Sequence, residues 1–146
     1  MQCKTQWHPA TLQSFAYANR IQTETEYIHR KKIATTYDEN LNWNYFTKQR
    51  IPENSTHVYH LYPILVPEAK VRDDCLEFLK DSNIFAQIHY PPISRMTGFK
   101  NYYSDSKNAE EIGSRVISLP MFPQMTDDEI DFVINKLNKF ANNWKK

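Results

Sequence analysis

At 146 residues and a formal net charge of +1, the chain can bury one modest core and carries no electrostatic bias toward nucleic acid or an anionic membrane. Its two glycines exclude the phosphate-cradling loops, which need several at fixed spacing so that backbone can approach the phosphates. No apolar run approaches the roughly 20 residues that span a bilayer or follows Met1 as a signal peptide would, and Cys3 and Cys75 stand apart without metal-ligand spacing, so a reduced cytoplasmic setting is expected.

Pro9 suits the first turn of a helix, where its missing amide costs nothing. From there to Leu41 there is neither proline nor glycine. Leu12, Phe15 and Ala16 share one helical face, and Ile33, Tyr37 and Leu41 recur at four-residue steps. The polar stretch 22–26 and the basic run 29–32 read as solvated surface. A continuous helix here measures roughly 45–50 Å at 1.5 Å per residue, long for a domain of this size. Trp7, Phe15 and Tyr17 near its start have no cover nearby in sequence, so this end is expected to pack on something the chain lacks. The aromatic surplus as a whole fits either a core or an interface with an absent partner. Residues 1–41 read as a connecting helix and 42–146 as a small domain.

Residues 42–56 are polar and irregular, with a short strand around 45–47. Residues 57–66 alternate and are rich in aromatic and β-branched side chains, which predicts a central strand. Pro63 lies inside it and calls for an edge position or a bulge. Val71, Cys75, Phe78 and Leu79 mark one face of a helix over 68–81, with Asp73 and Asp74 near its start to complement the dipole. Residues 84–88 are apolar enough for a second strand inside the sheet. His89 and Tyr90 end it, and Pro91 and Pro92 forbid its continuation as a paired ladder. An imidazole and a phenol are thereby held at the lip of a sheet, a place for contacting a ligand; the same residues also read as a plain strand end with a surface histidine.

Residues 93–106 form a polar and aromatic loop containing Arg95, Met96, Phe99, Tyr102 and Tyr103. Residues 109–117 predict a helix with Ala109, Ile112 and Val116 inward, and 118–123 is extended because of its two prolines. Thr126 and Glu129 form a capping box for a last helix to Asn142, burying Ile130, Val133, Ile134, Leu137 and Phe140. Asp127 and Asp128 are first-turn dipole partners, with no paired-carboxylate site implied.

Several of these stretches, taken in order, resemble one known family. They are His57-Val58-Tyr59-His60-Leu61-Tyr62, Arg72-Asp73, Ile88-His89-Tyr90-Pro91, Ser118-Leu119-Pro120-Met121-Phe122-Pro123 and Thr126-Asp127-Asp128-Glu129. Together they resemble the C-terminal portion of the DegT/DnrJ/StrS family, pyridoxal-phosphate-dependent aminotransferases acting on nucleotide-linked keto-sugars in amino-sugar biosynthesis for surface polysaccharide. The segment 9–14, and Arg30, Lys31, Ile33, Ala34, Tyr37 and Asp38 further along, are similar to the family's long helix. The Pro9 form is similar to the branch that aminates a dTDP-linked 4-keto-6-deoxyhexose.

The resemblance implies an α+β fold, the C-terminal small domain of a fold-type-I aminotransferase: a long N-terminal helix followed by a small, mainly antiparallel sheet packed by helices. It also implies that the large domain lies outside this chain. That domain carries the lysine that anchors pyridoxal phosphate and the acidic partner of the pyridine nitrogen. Lys4, Lys31, Lys48, Lys70 and Lys100 fall in segments the family does not use for that purpose and read as solvated surface. No catalytic residue and no metal ligand is therefore assigned, no cofactor is expected on this chain alone, and activity is expected to need a large-domain partner. His89 and Tyr90 match the family's His-Tyr pair facing the sugar-nucleotide, and Gln6 matches a position that reaches the cofactor phosphate of a neighbouring subunit. Ser94 and Arg95 stand where the family often has a second histidine, so this loop departs from the pattern. Trp7 and the Tyr102–Tyr103 pair are assigned to packing. Family members are dimers, which makes a second copy of the chain another possible partner. The alternatives are a non-catalytic module that binds a nucleotide-sugar or a protein, and an inactive gene remnant. Which sugar is involved, and whether C3 or C4 is aminated, stay open.

Overall fold

The structure, a computed structural model, describes residues 9–102 and 106–144, with side chains for 23–99 and 106–144. The long helix is present as α1, Pro9–Asn40, 32 residues without a break. Its last turns place Ile33, Ala34 and Tyr37 in the core, followed by Leu41. Three short strands form one antiparallel sheet in the order β1 (Thr47–Lys48), β2 (Tyr62–Leu65) and β3 (Val116–Leu119). Helix α2 (Ala69–Asp81) follows β2, α3 (Lys107–Arg115) leads into β3, and α4 (Asp127–Trp144) closes the described chain.

Register decides which face of the sheet is core. Tyr62 pairs with Leu119 and Ile64 with Ile117, and all four are buried beside Tyr37, Leu79 and Leu137. Pro63 and Leu65, paired with Ser118 and Val116, turn to the opposite face. Pro63 lies in β2, the central strand, and not on an edge strand, yet it removes no ladder bond. The Val66 N–H donates to the Arg115 carbonyl at 3.1 Å, so by alternation Pro63 turns its donorless nitrogen away from β3, toward the β1 side and past the last β1 pair, Lys48 with Ile64.

Four expectations need correction. The strand over 57–66 is only Tyr62–Leu65: Tyr59 sits at φ 50°, strained for an aromatic side chain, and its N–H donates to His57 Nδ1 at 3.0 Å, which takes 57–60 out of the ladder. The strand over 84–88 reduces to one bridge, Gln87 with Ser118, closed by N–H···O bonds of 3.1 and 2.7 Å. Asn83 leaves α2 at φ 59° and the Ala86 N–H turns back to the Ile84 carbonyl, so Ile84 plugs into the core while Phe85 stands 74% exposed. Helix α3 stops at Arg115, because Val116 and Ile117 are taken by the ladder with β2, and Ala109 and Ile112 are exposed rather than inward. Asp73 and Asp74 fall in the second turn of α2, and Asp73 pairs with Arg72 at 2.9 Å instead of serving the helix terminus.

The basic run of α1 is also not simply solvated. His29 Nδ1 lies 2.9 Å from the Pro123 carbonyl, Arg30 donates to the Met121 carbonyl at 2.6 Å, and Lys32 grips the Asp127 carboxylate at 2.6 and 2.9 Å. The helix is thus stapled to the segment 120–127. The capping box forms as expected: the Thr126 N–H donates to the Glu129 carboxylate at 2.8 Å, and the Glu129 N–H donates back to Thr126 Oγ1 at 3.3 Å. All five predicted core positions of α4 are buried, and Trp144 stacks on Phe140. The aromatic surplus divides between core (Tyr37, Phe46, Tyr62, Phe140) and surface (Phe85, Phe122, Phe132). Cys75 is sealed in α2 and burial pushes its thiol up to about 12, so it is inert packing. Among the described residues no helix is long and apolar enough to cross a membrane, and no group of His, Cys, Asp and Glu is placed to hold a metal.

Candidate functional site

The sheet face opposite the core opens into a groove of about 480 Å³. Pro63, Leu65 and Val116 form its floor, Ala109, Ile112 and Gly113 of α3 one wall, and His89, Tyr90 and Pro92 the other. Lys48 and Gln49 stand at one end. The surface is mostly apolar with a few polar groups converging on it, as small-molecule sites generally are.

His89 and Tyr90 lie together here, their rings 5.2 Å apart at 69°. The peptide bond between them is cis. Tyr90 is 67% exposed, whereas His89 is half-buried with its Nδ1 fully buried and no hydrogen-bond partner among the described residues. A buried polar atom left unpaired costs about 1–3 kcal/mol, and a turn of the ring that brought it to a ligand group would recover that. Both flanks of the pair are anchored. Upstream, Gln87 is bonded twice to Ser118; downstream, Pro92 packs on Gly113, Ser94 donates to the Glu110 carboxylate, and Arg95 Nε donates to the same carboxylate at 2.5 Å.

The bonds from Ser94 and then Arg95 hold the Glu110 carboxyl below its ordinary value. A depressed carboxylate supports the fold above the usual carboxylate range and loses that support as acid carries it through its folded pKa. The Arg95 Nε–H resonance is therefore expected to be protected at neutral pH and to be lost on acidification. In Glu110→Ala it is expected to be unprotected at every pH; an unchanged profile in that variant would show that the latch does not form.

Lys48, expected as solvated surface, is engaged: its ammonium lies 3.5 Å from Asp38 and over the Trp43 ring at 5.4 Å. Asp38 also accepts the Tyr62 hydroxyl at 2.5 Å, and burial together with that bond raises the Tyr62 phenol well above its ordinary value. One imidazole, one phenol, one amide and this lysine can hydrogen-bond a ligand, but as a donor set they do not fit pyridoxal phosphate, which needs a covalent anchor and a phosphate cup. Gln6, Trp7 and Tyr103 lie outside the described residues, as do the side chains of Phe15, Tyr17 and Tyr102. Lys48, Gln49, Ile112 and Gly113 were not marked as site residues by the sequence; the rarity of glycine was the one signal that could have found Gly113.

A small antiparallel sheet with α1, α2 and α4 on its core face, a groove walled by α3 on the other and a long helix leading in is the small-domain architecture of a pyridoxal-phosphate aminotransferase. It superposes on the apo-form of the putative sugar aminotransferase Spr1654 from Streptococcus pneumoniae with a TM-score of 0.79 at 22% identity, covering 89% of this chain and 35% of that one. Spr1654 is also known in a PLP-form. The chain belongs to the DegT/DnrJ/EryC1/StrS aminotransferase family, whose model matches residues 19–138. PseC of Helicobacter pylori, an aminotransferase involved in the biosynthesis of pseudoaminic acid, is 27% identical with a TM-score of 0.73 over 81% of this chain and 33% of that one. The dTDP-3-amino-3,6-dideoxy-alpha-D-galactopyranose transaminase of Aneurinibacillus thermoaerophilus is 29% identical over 114 residues, 77% of this chain and 31% of its own length. The chain thus spans about a third of the length of the relatives it matches.

Proposed function

We propose that this chain is the C-terminal part of a pyridoxal-phosphate-dependent aminotransferase acting on a nucleotide-linked keto-sugar in amino-sugar biosynthesis for surface polysaccharide. Residues 1–41 connect to the large domain and 42–146 form the small domain, in a cytoplasmic enzyme. The observation that carries the reading is the groove in which His89 and Tyr90 converge, with His89 Nδ1 unpaired, in a chain of this family. In this reading the His89 imidazole and the Tyr90 hydroxyl hydrogen-bond sugar hydroxyls or phosphate oxygens, and the apolar floor of Pro63, Leu65 and Val116 carries the less polar faces of the ligand. Gln6 reaches the cofactor phosphate across a subunit boundary. The cofactor would supply the electron sink for moving the amino group, and the lysine that anchors it would come from the large domain, on another polypeptide or on a longer form of this one.

Titrating the chain with a dTDP- or UDP-sugar is expected to shift the His89 ring resonances, assigned by comparison with His89→Gln; no shift at millimolar ligand would end the assignment of this pair. Mixed with a separately expressed large domain, the chain is expected to gain the visible absorption of bound cofactor and keto-sugar transamination. Ligand binding without that gain would identify a non-catalytic binding module. Conversion of a keto-sugar by the chain alone would overturn the need for a partner.

A further inference from the structure

We infer that Gly113 is a positioning residue for the His89–Tyr90 pair: its bare Cα is what allows the Pro92 ring to seat against α3 and so fixes where the two rings enter the groove. The inference rests on the groove being the ligand site. Glycine inside a helix gives up stability relative to alanine, and no glycine here has positive φ, so backbone freedom does not explain its presence. Space does. A Cβ at position 113 would lie 2.6 Å from both Cγ and Cδ of Pro92, and a pyrrolidine ring cannot swing aside as a flexible side chain would. Gly113 is also buried, while Ala109 and Ile112 on the groove wall are exposed.

Something must give if that space is filled, and the helix is the less able to move. The Gly113 carbonyl accepts from Arg72 Nη1 at 3.0 Å, and the next residues are tied to β2: Arg115 Nε donates to the Val66 carbonyl at 2.8 Å, and the Val66 N–H returns to the Arg115 carbonyl. Pro92, by contrast, belongs to an extended segment held at Gln87 and again at Arg95. Only His89, Tyr90 and Pro91 separate Pro92 from the residue after the Gln87 bridge, Ile88, and the two prolines are stiff, so a displaced Pro92 passes its displacement to the rings.

The test compares Gly113→Ala in two backgrounds, native and Pro92→Ala, the latter lacking the two ring carbons that would clash. In the native background Gly113→Ala is expected to lower Tm and to move the His89 and Tyr90 ring resonances. In the Pro92→Ala background the same substitution is expected to raise Tm, since alanine is the better helix former, and to leave the ring resonances where Pro92→Ala alone puts them. Where the wild-type chain binds a dTDP-sugar, Gly113→Ala is expected to weaken it about tenfold. Unmoved ring resonances, a Tm that rises in the native background, or one that falls in both would overturn the inference. Should Gly113→Ala alone fail to fold, the Pro92→Ala pair still decides it. A wild-type chain that binds no nucleotide-sugar would count against the functional reading, while the ring resonances and the two Tm changes would continue to decide the role of Gly113.

Discussion

Arg30→Ala is expected to cost the fold about 2–3 kcal/mol, the worth of a charge-assisted hydrogen bond to a carbonyl that is then left without its donor. Arg30 Nη1 lies 2.6 Å from the Met121 carbonyl, in a segment that is otherwise held to α1 by the Tyr37 hydroxyl on Pro120 at 3.0 Å and by the more exposed His29 and Lys32 contacts. Its reaches to the Tyr59 and His60 carbonyls, 3.5 and 3.4 Å, are long and add little. Lysine at this position keeps the charge but has a single ammonium where arginine has a planar fork, so Arg30→Lys should recover only part of the loss. Lys31→Ala, at the exposed neighbouring position, is the control and should stay within about 0.5 kcal/mol of the parent. Urea unfolding separates them: the midpoint should fall for Arg30→Ala at unchanged slope. Equal midpoints for the two alanine variants would mean that α1 is not stapled through Arg30.

That staple shows where sequence reading stops. The helices were legible because their signals are local: four-residue recurrence of Ile33, Tyr37 and Leu41, the Val71–Leu79 face, and the reciprocal Thr126–Glu129 cap. Arg30 bonds to carbonyls more than ninety and about thirty residues away, and a carbonyl acceptor leaves no mark in a sequence. Strand β3 was read partly as helix for a related reason. All four of its residues are buried, so it shows no alternation, and its partner is supplied by β2 some fifty residues earlier. Apolar residues 84–88 satisfied the strand pattern equally well, yet only Ile84 is buried and only Gln87 pairs. At the site, His89 and Tyr90 drew notice because Pro91 and Pro92 follow them, although the strand they were expected to end is a single bridge at Gln87. Lys48 and Ile112 were not, since the groove gathers them from β1 and α3, and spacing says that side chains share a face without saying what that face meets.

Ile117→Ala and Ile112→Ser turn that distinction into a measurement. The two isoleucines stand five residues apart across the α3–β3 junction, Ile117 wholly buried on the core face and Ile112 51% exposed on the groove wall. Truncating the first opens a cavity among Ile64, Leu79 and Leu137, and the expected loss is about 3–4 kcal/mol. Replacing the second removes little packing and trades exposed apolar surface for a hydroxyl, so stability should change by less than about 0.5 kcal/mol. Ligand response should show the reverse order: Ile112→Ser is expected to weaken the His89 shift produced by a dTDP-sugar, whereas Ile117→Ala, under conditions where it remains folded, leaves the groove wall as it was. A large stability loss from Ile112→Ser would mean that the chain covers this wall itself. The groove would then be part of the core's packing, and the His89 imidazole beside it could no longer be read as a ligand contact.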